Sequence, residues 1–437
     1  MGVFMGKRYM KLGLFLAGYG HHVASWRHHE VSEKGPMDLE HLVNIAKKAE
    51  KGKFDLLFLA DSLFVSASSH PNILSRFEPM TLLTVLARET TDIGLASTAS
   101  TTYEQPFHLA RRFSSLDHIS HGRAAWNIVT SSINSTAENF NGTRHMEHEL
   151  RYERADEFVQ VANKLWKSWD EDTFRRNKDS GQFIDGEKLH TIDHEGKHFK
   201  VKGPLNIERS PQVRPLLIQA GSSPTGTNLA SKVADVVFTA QSNKADAQRF
   251  YQKLQDKVIQ HDRLSQQVAI MPGLFPILGE TEQDAQESYQ TLQDLILPEV
   301  GLKILAPYVG EIDLSAYELS TPFEDIEFDH GNGVQSRLEV ILKDAREHHL
   351  TLEQVMKQVA GSRGHHIVIG TPEMVADKMQ DWFEDGAADG FNIMPPLLPT
   401  QFDLFVEKVV PILQARGLVQ TTYAQGTLRE KFGLKND

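Results

Sequence analysis

Short runs rich in β-branched and aromatic residues alternate along this chain with longer segments of helical periodicity. Because a strand, a helix and a second parallel strand form one βα unit, eight such runs predict a closed parallel sheet surrounded by helices. The eight predicted strands are Leu12–Ala17, Phe54–Ala60, Ile93–Ser100, Ala124–Thr130, Pro215–Ala220, Val236–Ala240, Ala269–Leu278 and Phe391–Met394. The pattern therefore predicts an α/β protein built on one (β/α)8 TIM barrel.

Three stretches of the 437 residues do not fit this alternation, and they lie at 131–150, 171–214 and 280–365. No Pro- or Ser-rich linker separates two compact halves of the chain. We therefore expect one barrel domain over residues 1–437 that carries the three stretches as helical and loop insertions. The clearest predicted helix, Glu149–Asp170, has apolar residues at three- and four-residue steps, so one of its faces packs on the barrel.

The composition excludes several classes of protein. The chain has no cysteine, which rules out disulfides, thiolate metal sites and cysteine nucleophiles. Its net charge of -12 is spread without a basic stripe, so no nucleic-acid partner is expected. No apolar run approaches the roughly 20 residues of a membrane span, and the short run Leu12–Ala17 lacks a signal-peptide cleavage site. We therefore expect a cytoplasmic protein with no membrane partner.

The run from Ala220 to Gly226 follows a predicted strand and precedes a predicted helix, Thr227–Ala234. Its small residues let backbone N–H groups approach an anion, its serines supply hydroxyl donors, and the helix directs its positive end toward the same point. These properties suit a phosphate, and they are equally those of an ordinary strand-to-helix turn. The run is neither a Walker loop nor a GxGxxG dinucleotide fingerprint.

Other polar residues stand where barrel enzymes place their functional groups, at the carboxyl ends of strands. Asp61 ends an apolar strand, where a carboxylate requires either a polar ligand or a helix-capping role. His148 and Tyr152 lie one helical turn apart, so both side chains can face the barrel mouth. The alternative is that Tyr152 is the first core residue of its helix and His148 a surface residue.

Adjacent histidines raise the question of a metal, and they occur at His21/His22, His28/His29 and His365/His366. Neighbouring residues on a strand point to opposite faces, and the chain has neither an H-x-H after its first strand nor an H-E-x-x-H motif. No catalytic metal is therefore expected.

Long stretches of distinctive sequence run from Lys11 to about Arg429. They are Trp26–His28, Ala49–Phe64, Arg76–Thr90, Ser115–Ser131, Glu153–Asp170, Gly203–Gly226 and Asp389–Gly417. In these stretches the chain resembles the nitrilotriacetate monooxygenase and long-chain alkane monooxygenase group of bacterial-luciferase-like, FMN-dependent monooxygenases. Within that group the chain resembles in particular a Bacillus-type branch linked to the salvage of S-modified cysteines.

The resemblance implies a two-component enzyme that binds reduced FMN noncovalently and receives it from a separate NAD(P)H:flavin reductase. In such enzymes the reduced flavin reacts with O2 to give a flavin hydroperoxide, which oxygenates a small organic substrate. The substrate implied is an S- or N-substituted carboxylate such as a modified cysteine, with C–S or C–N cleavage. Luciferase-type barrels commonly pair, so a homodimer or homotetramer is expected.

The same resemblance carries over the family's flavin-binding positions, which are Asp61, Thr98, His148, Tyr152 and Ser223. Two further cofactor-binding candidates come from their positions at strand ends, Asn127 and Ser222. The residues after the first strand, His21, His22 and Trp26, are candidates for catalytic contacts with substrate or peroxide, or are loop residues with no chemical role. The insertions 131–150 and 280–365 are expected to cover the barrel mouth.

Two other functions fit the same barrel. One is a flavin- or deazaflavin-dependent oxidoreductase that transfers hydride, and the other is a noncatalytic flavin-binding protein. Formation of an oxygenated product distinguishes the expected monooxygenase from both.

Overall fold

Eight parallel strands close into a barrel in this computed structural model, which describes residues 8–67, 69–221, 223–309, 312–328, 341–342, 345–362 and 364–436. The strands are β1 Lys11–Phe15, β2 Leu56–Leu59, β3 Gly94–Ser100, β4 Ala124–Val129, β5 His194–Glu195, β6 Lys200–Val201, β7 Leu216–Gln219, β8 Val236–Thr239, β9 Ala269–Leu278, β10 His366–Gly370 and β11 Gly390–Ile393. The barrel order is β11-β1-β2-β3-β4-β7-β8-β9, and β9 pairs back with β11. The predicted TIM barrel is confirmed.

Helices follow most of the strands and pack on the outside of the barrel. They are α1 Leu39–Lys51, α2 Pro71–Leu74, α3 Pro79–Glu89, α4 Pro106–Ile119, α5 His148–Trp166, α6 Pro224–Val233, α7 Lys244–Gln260, α8 Glu282–Asp294, α9 Pro298–Val309, α10 Leu352–Ser362, α11 Pro372–Glu384, α12 Thr400–Leu404, α13 Val410–Ala415 and α14 Leu428–Lys431. A π-helical turn at Phe405–Val409 joins α12 to α13. None of the described helices is long and apolar enough to cross a membrane.

Helix starts follow the local sequence closely. The side chain of Glu78 accepts hydrogen bonds from the backbone N–H groups of Met80 and Thr81, and proline occupies the first turn of α3. Thr371 caps α11 in the same way, again with proline in the first turn. Such caps satisfy N–H groups that have no partner inside the helix, so these βα turns are defined by a few residues.

The strand β10 is not predicted by the sequence pattern, because its apolar run Ile367–Ile369 is only three residues long. It pairs with the segment Leu274–Leu278 of β9. Only Gly273 and Leu274 of β9 pair with β11, so the ten-residue β9 continues past the barrel and β10 adds to its free edge. The chain therefore re-enters the barrel from the third insertion through an extra strand.

The third insertion forms an apolar cluster of its own that includes Val23 and Ala24 from the loop after β1. At the opposite end, Leu428 of α14 packs with Leu56 and Leu216 inside the barrel. The backbone N–H of Leu428 donates to the carbonyl of Gly122, two residues before β4, so the C-terminal segment closes the amino-terminal end of the barrel. The carboxyl end, where the polar residues stand, is the end that the insertion faces.

Candidate functional site

The turn between β7 and α6 forms a narrow cradle around Gly226. Ser223 caps α6, and its Oγ accepts a hydrogen bond from the Gly226 N–H at 3.0 Å. A methyl group added to Gly226 would lie 3.1 Å from Gly221 Cα, from Ser223 Oγ and from the Tyr152 hydroxyl. A larger residue at position 226 would therefore crowd these groups, and two hydroxyls converge on the N-terminus of a helix of 10 residues. Such a cradle suits an oxyanion.

The first turn of α5 supplies the tyrosine of this cradle. His148 begins the helix and Tyr152 follows one turn later, with ring centroids 4.9 Å apart. His148 is exposed, whereas Tyr152 is half-buried and lines a cavity beside the cradle. Ser222 lies outside the described residues. The structure thus brings Tyr152 and Ser223 together and places His148 at the rim.

Two buried side chains lie in β3 and β4, two residues before the last residue of each strand. Thr98 Oγ1 donates to the Leu59 carbonyl at 2.7 Å and accepts from Asn127 Nδ2 at 2.8 Å. Asn127 is 3% exposed, and among the described residues its Oδ1 has no hydrogen-bond partner. A buried carbonyl oxygen without a donor is costly, so this oxygen fits a bound polar ligand.

Asp61 lies after β2 and pairs with Arg76, from the loop before α3, at 3.1 Å. Burial raises the pKa of the Asp61 carboxyl above its ordinary value, and the positive charge of Arg76 opposes that rise. Burial also lowers the pKa of the Arg76 guanidinium. Both charges are only partly screened by water, which gives them strong interactions with any charged ligand nearby.

Two cavities at the barrel mouth share Asp61 and Ser62. One, of about 250 Å³, continues along the ends of β4 and β7 to Tyr152 and Gly221. The other, of about 210 Å³, lies toward β1 and is lined by further titratable side chains, namely His21, His70, Arg76 and His365. We call the first the cradle cavity and the second the histidine cavity. Together they form a site that crosses the mouth.

The three catalytic candidates after β1 occupy different environments. His21 lines the histidine cavity, packs on Phe15 with ring centroids 4.4 Å apart, and hydrogen-bonds the Phe15 carbonyl through Nε2 at 2.7 Å. His22 is fully buried and bonds Gln293 of the third insertion at 3.1 Å. Trp26 is 48% exposed and lines neither cavity. Only His21 thus faces the site directly, while His22 ties the insertion to the barrel.

Sequence reasoning did not single out Arg76 or His70 and considered His365 only as a metal ligand. Arg76 stands just before the Glu78-capped start of α3, and a cation at that helix start is the signal that could have identified it. Within the described residues no group of three His, Asp or Glu side chains is placed to hold a metal.

A hydrogen-bond network also holds the loop 131–150 beside the cradle cavity. The Tyr103 hydroxyl bonds His145 Nδ1 at 2.6 Å, and His145 Nε2 lies 3.2 Å from the carbonyl of Ser131, a residue that lines the cavity. Arg151 of α5 also contacts His145 and the Ser131 carbonyl. Burial and the Arg151 charge both lower the pKa of His145, which favours its neutral form.

Known proteins are similar to this chain over nearly its whole length. The family model of the luciferase-like monooxygenases matches residues 19–389. N-acetyl-S-(2-succino)cysteine monooxygenase of Bacillus subtilis is 55% identical, covering 98% of this chain and 97% of the relative. Nitrilotriacetate monooxygenase component A of Aminobacter aminovorans is 42% identical, covering 97% and 96%.

A solved structure of riboflavin lyase with modified FMN and substrate riboflavin superposes with a TM-score of 0.84 at 31% identity, covering 97% of this chain and 96% of that one. Both the sequence and the fold are therefore similar from end to end, and the chain belongs to the luciferase-like monooxygenase family.

Proposed function

We propose that this protein is the oxygenating component of a two-component monooxygenase that binds reduced FMN noncovalently. The proposal depends most on the cradle at Gly226, where Ser223, Tyr152 and the start of α6 surround a space that no side chain of residue 226 fills. A phosphate monoester fits such a space because its oxygens accept hydrogen bonds from hydroxyls and helix N–H groups.

The rest of the cofactor would extend along the cradle cavity toward Asp61. Thr98 and Asn127 are buried in β3 and β4 and line neither cavity, and the Asn127 Oδ1, which has no partner among the described residues, suits an N–H donor of a flavin ring. His148 at the rim would contact the phosphate end. Reduced FMN supplies two electrons for O2 activation, so that one oxygen atom enters the substrate and the other leaves as water.

The substrate would occupy the histidine cavity. Arg76 offers a partly buried positive charge there, and the cavity wall also contains Phe15 and Met394. A guanidinium beside apolar walls suits a carboxylate with a short organic chain. The two relatives act on an S-substituted cysteine and on nitrilotriacetate by their names, so we propose an S- or N-substituted carboxylate substrate that undergoes C–S or C–N cleavage.

The chain's own residues would position this substrate and exclude water. The His22–Gln293 bond fixes the third insertion over the loop after β1, and the Tyr103–His145 pair fixes the loop 131–150 over the cradle cavity. A covered mouth favours transfer of oxygen to the substrate over its loss as H2O2.

A separate NAD(P)H:flavin reductase would supply the reduced cofactor, since the chain has no dinucleotide fingerprint. The name "component A" of one relative fits this division of labour. We further propose a cytoplasmic homodimer or homotetramer in which residues 1–437 form one domain.

The experiment is a coupled assay with a flavin reductase, NADH, FMN and air over a panel of carboxylated thioethers and tertiary amines. The expected result is cleavage of at least one thioether, with loss of product when FMN or the reductase is omitted. Turnover that persists without a flavin would contradict the proposal.

A further inference from the structure

Arg151, in the first turn of α5, is a buried arginine whose charge no carboxylate balances. The residue is 8% exposed, and among the described residues no aspartate or glutamate forms an ion pair with it. Glu147, one turn earlier, pairs with Arg144 instead. The Nε of Arg151 is buried and has no hydrogen-bond partner in the same part of the chain. Because a guanidinium stays charged in proteins, this arrangement is costly unless an anion comes near it.

The guanidinium lies behind one wall of the cradle cavity. Its Nη1 donates to the carbonyl of Ser131, and Ser131 lines this cavity. Because Ile128 of β4 pairs with Gln219 of β7, the loop that follows β4 lies beside the turn that forms the cradle. The next residue of α5, Tyr152, supplies one of the cradle hydroxyls. The buried charge is therefore next to the place proposed for the phosphate.

The carbonyl that Arg151 holds belongs to a strained residue. Ser131 has a φ of 50°, which lies in the left-handed region that costs free energy for a residue with a side chain. The Ser131 Oγ bonds Ser100 Oγ at 2.8 Å, and its carbonyl lies 3.2 Å from His145 Nε2. Strained residues persist only where several contacts hold them, and they are common at ligand sites. Arg151 is one of the contacts that hold this wall.

The cradle itself offers an anion no positive side chain. Among the described residues that line the cradle cavity there is no lysine or arginine, and Asp61 adds a carboxylate. Ser223, Tyr152 and the start of α6 supply only neutral donors and a helix dipole. A phosphate monoester carries about −1.5 to −2 charges near pH 7, so a positive charge close to the cradle would strengthen its binding.

We propose that Arg151 is a positioning residue of the cofactor site, whose buried charge makes the protein select a phosphorylated flavin over riboflavin. This inference rests on the proposed function. The guanidinium acts by holding Ser131 at the cavity wall and by attracting the phosphate across that wall, where little water screens the charge. Riboflavin has the same ring and ribityl chain without the phosphate. The ratio of the two flavin affinities therefore isolates the effect of the charge.

The test measures the affinities for FMN and riboflavin by fluorescence titration, with Tm determined for each protein. We expect Arg151→Gln to lower the ratio of FMN affinity to riboflavin affinity about tenfold or more, because the charge is lost. Arg151→Lys keeps the charge and should keep the ratio within about threefold. The control is Arg154→Gln on the same helix. Arg154 bonds the Thr101 and Glu104 carbonyls instead, and its loss should change the ratio less than about threefold.

A second pair of variants leaves Arg151 in place. His145 contacts Arg151, so His145→Glu puts a carboxylate beside the guanidinium and neutralises its charge. His145→Gln is the matched variant without a charge, and it loses the same hydrogen bond to Tyr103. We expect the affinity ratio to be about tenfold lower in His145→Glu than in His145→Gln. This comparison decides the question even if Arg151→Gln does not fold.

An unchanged affinity ratio in folded Arg151→Gln would overturn the inference, and equal ratios in the two His145 variants would do the same. If Arg151→Gln weakens both flavins equally, Arg151 only supports the loop, and the inference is again overturned. If the unmodified protein binds FMN no more tightly than riboflavin, the phosphate site of the proposed function fails as well. A preference for FMN that survives in all the variants overturns the inference alone.

Discussion

At the residue scale, the proposed cofactor site depends on the absence of a side chain as much as on the groups present. A methyl group added to Gly226 would lie 3.1 Å from three groups. One of them is Ser223 Oγ, which also caps α6. A substitution of Gly226 by alanine should therefore change FMN affinity more than stability, because alanine is a better helix former than glycine.

Gly226→Ala should accordingly weaken FMN binding at least tenfold, leave riboflavin binding within about threefold, and change Tm little. The reason is that the added methyl crowds the Ser223 and Tyr152 hydroxyls, which are proposed to hold the phosphate, while the gain in helix propensity offsets the cost of crowding. Fluorescence titration with both flavins measures the difference. Gly186→Ala is the control, since nothing lies within 4 Å of a methyl group there. Equal losses for FMN and riboflavin would contradict the phosphate assignment.

The Asp61–Arg76 pair makes a prediction about pH. Burial raises the pKa of Asp61 in the folded protein, so protonation stabilises the fold as the pH falls through that raised pKa. Removing Arg76 removes the positive charge that opposes the rise in the Asp61 pKa. Arg76→Gln should therefore cost about 2 kcal/mol of stability at pH 8, where the carboxylate is charged and unpaired, and clearly less at pH 5.

Denaturant unfolding at the two pH values measures this effect. The control is Lys47→Gln, which breaks an ion pair with Glu89 in which the two side chains are 50% and 41% exposed. It should cost under about 1 kcal/mol of stability at both pH values. A pH-independent cost for Arg76→Gln would show that Asp61 does not titrate as argued.

Some candidate residues follow from the sequence and others do not. The positions of Asp61, Thr98 and Asn127 toward the carboxyl ends of their strands could be predicted because a regular strand fixes which residues stand there, while their role in a site stays a prediction. Arg76 and His365 lie in a loop and at an insertion boundary, where no periodicity indicates direction. Their positions depend on packing across the barrel, such as the close approach of the His365 ring to Gly273 of β9.

At the element scale, α6 begins at Pro224, three residues before the predicted start at Thr227. The run of serine, proline and glycine has the composition of a turn, yet proline in the first turn and a serine cap also start a helix. The cradle is therefore the helix N-terminus itself, which strengthens its attraction for an anion.

The loop 131–150 makes the prediction at this scale. Tyr103→Phe removes the hydroxyl that bonds His145, worth about 1 kcal/mol net, so amide exchange over residues 131–147 should become about fivefold faster. Hydrogen-exchange mass spectrometry measures it. Tyr251→Phe removes a hydroxyl that bonds Asp389 elsewhere and should leave this loop unchanged. Unaltered exchange in Tyr103→Phe would mean that other contacts hold the loop.

At the scale of the whole molecule, stability and function lie at opposite ends of the barrel. Arg429 of α14 pairs with Asp235 at 3.0 Å, and their side chains are 2% and 1% exposed. Arg214 pairs with the same carboxylate at 2.8 Å. These ion pairs and Leu428 close the amino-terminal end, away from the cradle and the histidine cavity.

Arg429→Leu should therefore lower the free energy of unfolding by about 3 kcal/mol and leave FMN affinity unchanged, because a buried carboxylate loses one partner far from the site. Chemical denaturation and flavin titration of the same protein measure both quantities. Arg249→Leu, which breaks a surface pair, should cost under about 1 kcal/mol. A loss of FMN binding in Arg429→Leu would indicate that the two ends are coupled.

The barrel could be predicted from the sequence because eight strand patterns alternate with helical patterns, and each pattern is recognised within its own short stretch of chain. The insertions carry no such repeat. The cluster that joins Val23 to the third insertion depends on contacts across several hundred residues, which local patterns do not encode. That residues 1–437 behave as one domain stays a prediction.

The central claim is that one atom of O2 enters the substrate. It is tested most directly by the coupled reaction under ¹⁸O2, with mass spectrometry of the product of a carboxylated thioether, sampled before carbonyl exchange with water. We predict one ¹⁸O atom per product molecule, dependent on FMN and the reductase. A product that forms without ¹⁸O under these conditions would contradict the account and indicate hydride transfer instead.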